Sequence, residues 1–577
     1  MRGGGASTEK RRGMQGALVA VVAVMGALTL GAGCSAQPPQ PPAESTAKPL
    51  KAIDAGHVPG PASAGADIAG SAPVATAPPA PVTVPFRSAE TFDIAIRNGD
   101  VIDGTGAPRR KADVLVRGDR IAHVGPVDAS VHAKVELDAT GAVVTPGFVD
   151  AHSHGNGNDD NAVAQGVTTV LIGQDGGSPT AGGLASWMAS NDGKLRINVA
   201  ALVGHASIRA RAKAGVPASA RDLEAMARLV DQAMKDGAFG LSMGLEYEPG
   251  RRADAAELTA IARPVARRSG VLMSHLRSED EDAILASIDE LVAQGKSAGA
   301  RVHVSHIKVV GGRSEAAALP VLARLDAARS AGIEVTADWY PYTASYTGLE
   351  ILFPDWMRGG GPAPANRREA LRTHLRNRVL SRNGPEAMLF GAGTGHEGKT
   401  LAAVAKEHGV PFEDVLAEMG PSKGSAAYFV MNEALQDRLL ADPHVMIGSD
   451  GAGHSSHPRG SGSFARVIET MVEKKHVLSL EEAVRRMTSL PMRTLRAEAD
   501  RGSVTEGRVA DLAVFAPSQI HERATFTDPN RQATGMRHVV VAGRVIWRQG
   551  VASSGRPGRM LRSAWAEGPD LEQANER

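Results

Sequence analysis

Side chains suited to holding a cation stand at the ends of apolar runs in this chain. His152 and His154 are one residue apart in Asp150-Ala151-His152-Ser153-His154. In an extended strand, positions i and i+2 share a face, so both rings can point the same way. Ser274-His275-Leu276-Arg277 and His303-Val304-Ser305-His306-Ile307-Lys308 end two further runs, and Gly448-Ser449-Asp450-Gly451 ends another. Odd spacing sets His303 and His306 on opposite faces. His306 shares its face with Lys308, so His306 is read as the ligand and His303 as outward-facing. Imidazole nitrogens and carboxylate oxygens are donors of the zinc type. A lone histidine is more often structural, and an H-x-H pair arises by chance. Four histidines and an aspartate on separate run ends point to a metal site.

These residues need a scaffold that gathers strand ends. Eight strand-like runs can be counted, at 143–150, 166–173, 198–204, 238–243, 270–274, 302–307, 333–338 and 445–449. Amphipathic helical stretches lie between them, such as 220–235 with apolar Leu223, Met226, Leu229, Val230 and Met234, and 255–268. Strands alternating with helices over this length imply a parallel sheet, and eight repeats fit a closed (β/α)8 TIM-type barrel over 143–499, with its chemistry at the strand ends. About a hundred residues separate the seventh and eighth runs, with helix-like 367–380 and 401–409, so an insertion at about 345–440 is expected over the mouth. Apolar–polar alternation with turn signals marks short antiparallel strands over 92–125 and returns at 510–515 and 538–543. A small β-sandwich domain built from both ends, 89–142 plus 500–550, accounts for the recurrence.

Composition narrows the function. The chain has 577 residues, 42% of them hydrophobic, with 64 Lys+Arg against 63 Asp+Glu and a formal net charge of +1. That is enough apolar material for a large core and gives no nucleic-acid footprint. The single cysteine, Cys34, excludes an intramolecular disulfide, a Cys-rich zinc site and an iron–sulfur cluster. Cys34 follows basic Lys10-Arg11-Arg12, an apolar stretch over 14–30 and Gly31-Ala32-Gly33, the layout of a secretory signal. Small residues before the Cys resemble a bacterial lipobox, with Gly31 where a Leu is usual. The expectation is an exported protein, anchored to a membrane only through lipid on Cys34; cleavage after Ala36 to a soluble periplasmic protein is the alternative. Residues 35–88 read as a Pro/Ala-rich tether. Residues 551–577 read as a polar tail, fraying from Arg556.

Longer motifs carry a family resemblance. Thr145-Pro146-Gly147-Phe148-Val149-Asp150-Ala151-His152-Ser153-His154 resembles the first-strand signature of the amidohydrolase superfamily. Gly237-Ala238-Phe239-Gly240-Leu241-Ser242-Met243-Gly244-Leu245, with Tyr247 and Pro249-Gly250 following, resembles the D-aminoacylase branch, the N-acyl-D-amino-acid deacylases. Gly204-His205, Asp338 with Tyr340-Pro341-Tyr342, His457-Pro458-Arg459 and Gly507-Arg508-Val509-Ala510-Asp511-Leu512 add to it. The resemblance implies one or two Zn2+ ions or other divalent metals. Asp175, His275 and His306 would form the tight site, with His152 and His154 at a second position. It also implies Asp450 as general base and acid, and Lys308, Tyr340 and Arg459 around the α-carboxylate of a small N-acyl amino acid or dipeptide. One position departs from the family. Gly173-Gln174-Asp175-Gly176 places Asp175 where these enzymes carry a metal-binding cysteine. A carboxylate can ligate and bridge, though as a harder donor; Asp175 as a helix cap, or Glu246 or Glu248 as the bridge, are the other readings. His205, His454 and His457 are read as loop or supporting residues. The implied reaction is amide hydrolysis of N-acyl-D-amino acids. A D-amino-acid dipeptidase, a cyclic-amide hydrolase or a non-catalytic binding lipoprotein are the alternatives.

Overall fold

In the computed structural model, residues 85–179, 183–358, 360–361 and 363–566 are described. Cys34 with the expected signal, the tether up to residue 84 and residues 567–577 lie outside them.

The eight barrel strands are Phe148–Asp150, Val167–Ile172, Asn198–Ala201 continued by Val203–Gly204, Gly240–Gly244, Val271–His275, Arg301–Val304, Val335–Trp339 and Val445–Ile447. Each pairs in parallel with the next in the order of the chain. The ring closes where Asp450 N donates to His152 O at 2.8 Å and His154 N to Gly451 O at 2.8 Å. The closure therefore lies at the ligand-bearing ends of the first and eighth strands. The period-2 rule accounts for the layering. Val271 and Met273 share the face of His275 and pack with Leu171, Ala200, Leu202 and Phe239 in the barrel interior, while Leu272 on the opposite face joins the core beneath the helices. The helix Ala220–Lys235 starts at a capping box of Ser219 and Asp222 and buries Met226, Val230, Ala233 and Met234.

The first run splits in two. Val143–Pro146 leaves the barrel and pairs with Leu512–Phe515 and with Asp100 and Val101, and only Phe148–Asp150 belongs to the barrel. Pro146 has no N–H to continue a ladder, and the break falls there. The end-domain is a single nine-stranded sheet. Residues from both chain ends, including Ile94, Ile96, Val114, Val144, Leu512 and Val514, share its core. The sheet is mixed rather than antiparallel: Phe92–Val101 pairs in parallel with Ala133–Asp138 and with Val143–Pro146.

The segment between the seventh and eighth strands carries the helices Arg368–Leu380, Leu401–His408 and Phe412–Met419 and a small antiparallel sheet of Ser345–Gly348, Ser425–Tyr428 and Met388–Phe390. It has its own core around Leu349, Phe353, Leu375, Phe390 and Tyr428. The expectation that the tail frays from Arg556 fails for the described part. Gly558 N donates to Leu195 O, Val199 N to Arg559 O, Leu561 N to Val199 O and Ser563 N to Gly237 O, all within 2.8–3.1 Å. Met560 enters the main core. Leu561 packs against the apolar cluster of the barrel interior, so the basic stretch is seated by these two apolar residues together with its backbone hydrogen bonds.

Candidate metal centre and active-site cavity

Three of the side chains singled out in the sequence stand on left-handed backbone: Asp175 at φ 53°, His306 at 35° and Asp450 at 50°. Such conformations are costly for non-glycine residues and persist where the surroundings over-determine them. For Asp175 the surroundings are visible. Gly176 N donates to Ser242 Oγ at 3.1 Å, and Ser207 N donates to Gly176 O at 3.2 Å. Gly204 and Gly244 let the neighbouring backbones come close: a Cβ on Gly244 would run into the carbonyl oxygen of Asp175. The turn after the second strand is thus clamped by the third and fourth, with its carboxylate turned to the barrel axis.

There it meets the histidines. Asp175 Oδ1 is 3.6 Å from His152 Nε2 and 3.5 Å from His306 Nε2, and its Oδ2 is 3.4 Å from His154 Nε2. Asp450 Oδ1 is 3.2 Å from His154 Nε2 and 3.6 Å from His152 Nε2. His275 Nδ1 lies 2.9 Å from His306 Nε2. Three donor groups result among the described residues, Asp175–His275–His306, His152–His154–Asp175–Asp450 and Glu246–His275–Glu279, and Asp175 belongs to the first two. His152 Nε2 and Asp175 Oδ1 are buried and have no hydrogen-bond partner. An unpaired buried polar atom costs about 1–3 kcal/mol, and a divalent cation between the two relieves both. The nitrogen–oxygen donor set fits zinc or a related divalent metal.

Asp338, at the end of the seventh strand, aligns the ligands. It faces His152 Nδ1 at 3.3 Å and accepts from His306 N at 3.0 Å, which leaves His152 Nε2 free for a cation. His303 also reaches Asp338, with Nε2 at 2.8 Å, and is fully buried. The outward reading of His303 is therefore wrong. The sixth strand ends at Val304, and the left-handed turn at His306 breaks the alternation that the parity argument assumed.

Nothing in the sequence pointed to Glu279, and Tyr247 stood out there only as part of a motif, with no place in the site. Glu279 Oε1 lies 3.0 Å from His306 Nδ1 and 2.7 Å from Lys308 Nζ. Tyr247 packs its ring 4.5 Å from that of His275. Glu246, weighed as a bridge, faces His275 Nε2 at 3.1 Å and shares a donor group with His275 and Glu279 but not with Asp175. Glu279 follows His275 by four loop residues, and no period marks a loop. Lys308 is buried and donates to Glu279 and to the carbonyl of His306. Arg459 Nη1 donates to Asp450 Oδ2 at 2.6 Å and Nη2 to Tyr346 O at 3.2 Å. Tyr340 lies under both cations, its ring 5.8 Å from Lys308 Nζ and 5.2 Å from the Arg459 guanidinium; its buried hydroxyl has no partner. Of the supporting histidines, His205 is buried against Glu257, His457 donates Nε2–H to Ala344 O, and His454 lines the cavity.

Charge follows this geometry. Burial alone would raise Asp450, but Arg459, His306 and His154 hold it well below the usual carboxylate range. Asp175 is likewise held down against burial by His152 and His306. Burial and Lys308 would lower His306, but Asp450, Glu279 and Asp175 hold it up at about 9. Burial pushes the Tyr340 phenol up to about 12, so it stays a neutral donor. The ensemble opens into a cavity of about 750 Å³ roofed by the insertion residues Tyr346, Thr347 and Glu350.

The chain can now be placed among known proteins. A model described as Amidohydrolase family matches residues 414–547. The N-acyl-D-glutamate deacylase of Alcaligenes xylosoxydans xylosoxydans is 37% identical over 508 residues, 82% of this chain and 97% of that protein. This chain belongs to the amidohydrolase family, in the branch of the N-acyl-D-amino-acid deacylases. Like this amidohydrolase in fold is the crystal structure of the N-acyl-D-glutamate deacylase from Bordetella bronchiseptica, complexed with zinc and a phosphonate that mimics the tetrahedral intermediate. It is 35% identical with a TM-score of 0.71, over 82% of this chain and all of that one. A D-aminoacylase structure described by its binuclear metal center is 31% identical with a TM-score of 0.69, again over 82% of this chain and all of that one. Relatives with a metal in the corresponding fold agree with the donor set assembled here.

Proposed function

We propose that this amidohydrolase is a metal-dependent deacylase that hydrolyses the amide bond of N-acyl-D-amino acids to a carboxylate and a free D-amino acid. The observation that carries the reading is Asp450, whose two oxygens face different partners: Oδ1 the histidine–aspartate cage, Oδ2 the cation Arg459. Asp175, His275 and His306, with His152 and His154 beside them, would hold a divalent metal, which when bound would lower the pKa of a water towards neutrality. Asp450, held ionised, accepts a proton from the attacking water as its oxygen bonds to the acyl carbon. It returns that proton to the nitrogen as the C–N bond breaks. Arg459 and the neutral phenol of Tyr340 supply donors for a substrate carboxylate, and Lys308, whose N–H groups are turned to Glu279 and His306, adds positive charge; Arg459 retains N–H groups beyond those already engaged.

The test is a panel assayed with zinc, cobalt or manganese: N-acetyl-D- and L-amino acids, dipeptides and hydantoins. Release of D-amino acids fastest from the N-acetyl-D series is expected. No amino acid from any N-acyl substrate overturns the reading, and faster cleavage of dipeptides or hydantoins replaces it with the dipeptidase or cyclic-amide reading. We further infer export and lipid attachment at Cys34 from the flanking pattern alone. Membrane association of the native protein that survives Cys34→Ala would remove the lipid anchor.

A further inference from the structure

Among the described residues, the carboxylates that line the active-site cavity face a cation or a histidine, with one exception. Asp450 is held by Arg459, Glu279 by Lys308, and Glu246 faces His275, while Arg382 is committed to Asp280. Glu350 lines the same cavity and, among the described residues, its carboxylate has no hydrogen-bond or ion-pair partner. It is half-buried on the short turn Leu349–Leu352, which follows directly from the insertion strand Ser345–Gly348. That strand is anchored to the chemistry through its two central residues: Tyr346 O accepts from Arg459, and Thr347 Oγ1 donates to the hydroxyl of Tyr247 at 3.2 Å. Cations near Glu350 point elsewhere. Arg358 donates to the carbonyls of Phe353, Glu246 and Ile351, and Arg251 pairs with Asp355. Burial, opposed by Arg358 and reinforced by Glu248 and Glu246, raises the Glu350 carboxyl above its usual value. A half-buried carboxylate without a partner gains most from an arriving cation and repels an arriving anion.

We propose that Glu350 receives a cationic group carried by the substrate, an ammonium or guanidinium, and thereby sets the protein's substrate preference. This rests on the deacylase reading above and names the substrate class within it. The cation has two sources, the amino-acid side chain or the acyl portion, and four compounds separate them. N-acetyl-D-lysine and N-acetyl-D-norleucine differ by an ammonium on the side chain. Glycyl-D-norleucine and N-acetyl-D-norleucine differ by an ammonium on the acyl group. N-acetyl-D-glutamate presents the opposite charge.

In the native protein, kcat/KM for one of the two cationic compounds is expected to exceed that for N-acetyl-D-norleucine by about tenfold, the size of a hydrogen bond to a charged group. The ratio should shrink with added salt, and N-acetyl-D-glutamate should be the poorest of the four. In Glu350→Gln the cationic-to-neutral ratio should fall to about one, and in Glu350→Lys the order should turn towards N-acetyl-D-glutamate. Neither cationic compound surpassing N-acetyl-D-norleucine in the native protein overturns the proposal, whatever the variants do. Hydrolysis of none of the four would instead count against the deacylase reading itself.

Discussion

At the scale of single residues, the distinctive choice is Asp175. Where the family resemblance implies a thiolate, a carboxylate here faces His152, His154 and His306 within 3.4–3.6 Å. An oxygen donor is harder than sulfur, so selectivity for zinc over manganese or cobalt should be weaker than with a cysteine. Asp175→Ala is expected to lose bound metal and to lower kcat by roughly a hundredfold or more, since two of the three donor groups share this residue. Metal content and activity unchanged in Asp175→Ala would remove Asp175 from the centre. The same cage couples metal to protons. His306 is held at about 9, above the ordinary 6.5, so below about pH 9 its ring carries a proton that a ligand nitrogen cannot keep. Metal binding should therefore release protons, and apparent affinity should rise with pH up to about 9; titration calorimetry in buffers of different ionisation enthalpy reads both. For the protein without metal the sign is opposite: a histidine raised in the folded state stabilises it below 6.5, and that stability is lost as pH rises through about 9. Of these residues, His152, His154, His275, His306 and Asp450 could be picked out by type and position at run ends. Asp175 needed a family pattern, because an aspartate in a Gly-rich turn looks like a cap. Glu279 and Glu350 were invisible because both sit on loops placed by other elements.

At the scale of elements, the barrel could be read because its strands are buried on both faces and so form unbroken apolar runs. The insertion sheet could not. Ser345–Gly348 and Ser425–Tyr428 have four residues each and Met388–Phe390 has three, too short for a period to show. The mixed pairing of the end-domain was also hidden, since alternation reports which face is buried and not the direction of the neighbour. What the elements do for the site is hold strained turns in place. The turn at Asp175 approaches Gly244 so closely that no side chain fits there. Gly244→Ala should push the Asp175 carbonyl away and shift its carboxylate off the axis. The expected result is a protein with unchanged far-ultraviolet circular dichroism and at least about tenfold weaker metal binding, as small displacements of supporting groups produce. Native metal affinity in Gly244→Ala would show that the turn tolerates the displacement.

At the scale of the whole molecule, the chain's ends close what its middle leaves open. Asn198–Ala201 pairs with the second strand, but only Val203–Gly204 pairs with the fourth, so the lower half of this seam lacks a strand partner. The segment from Gly558 to Ser563 fills it, accepting from Val199 N and donating to Leu195 O, Val199 O and Gly237 O. Met560 and Leu561 add apolar burial, and Arg268 reaches the carbonyls of Trp565 and Ala566. Removing residues 556–577 would expose the edge of a parallel sheet, an arrangement that folded proteins avoid. Four backbone hydrogen bonds at roughly 1 kcal/mol each, with about 1 °C per kcal/mol for a folded part that runs from residue 85 to residue 566, put the fall in Tm at roughly 4 °C before the lost apolar burial is counted. The seam lies at the start of the strands and the metal centre at their ends, so below that lowered Tm the truncated protein should bind metal and turn over substrate like the full chain. A thermal scan beside metal analysis separates the outcomes. An unchanged Tm means the segment merely rests on the barrel, and a loss of metal at low temperature means the seam is coupled to the site.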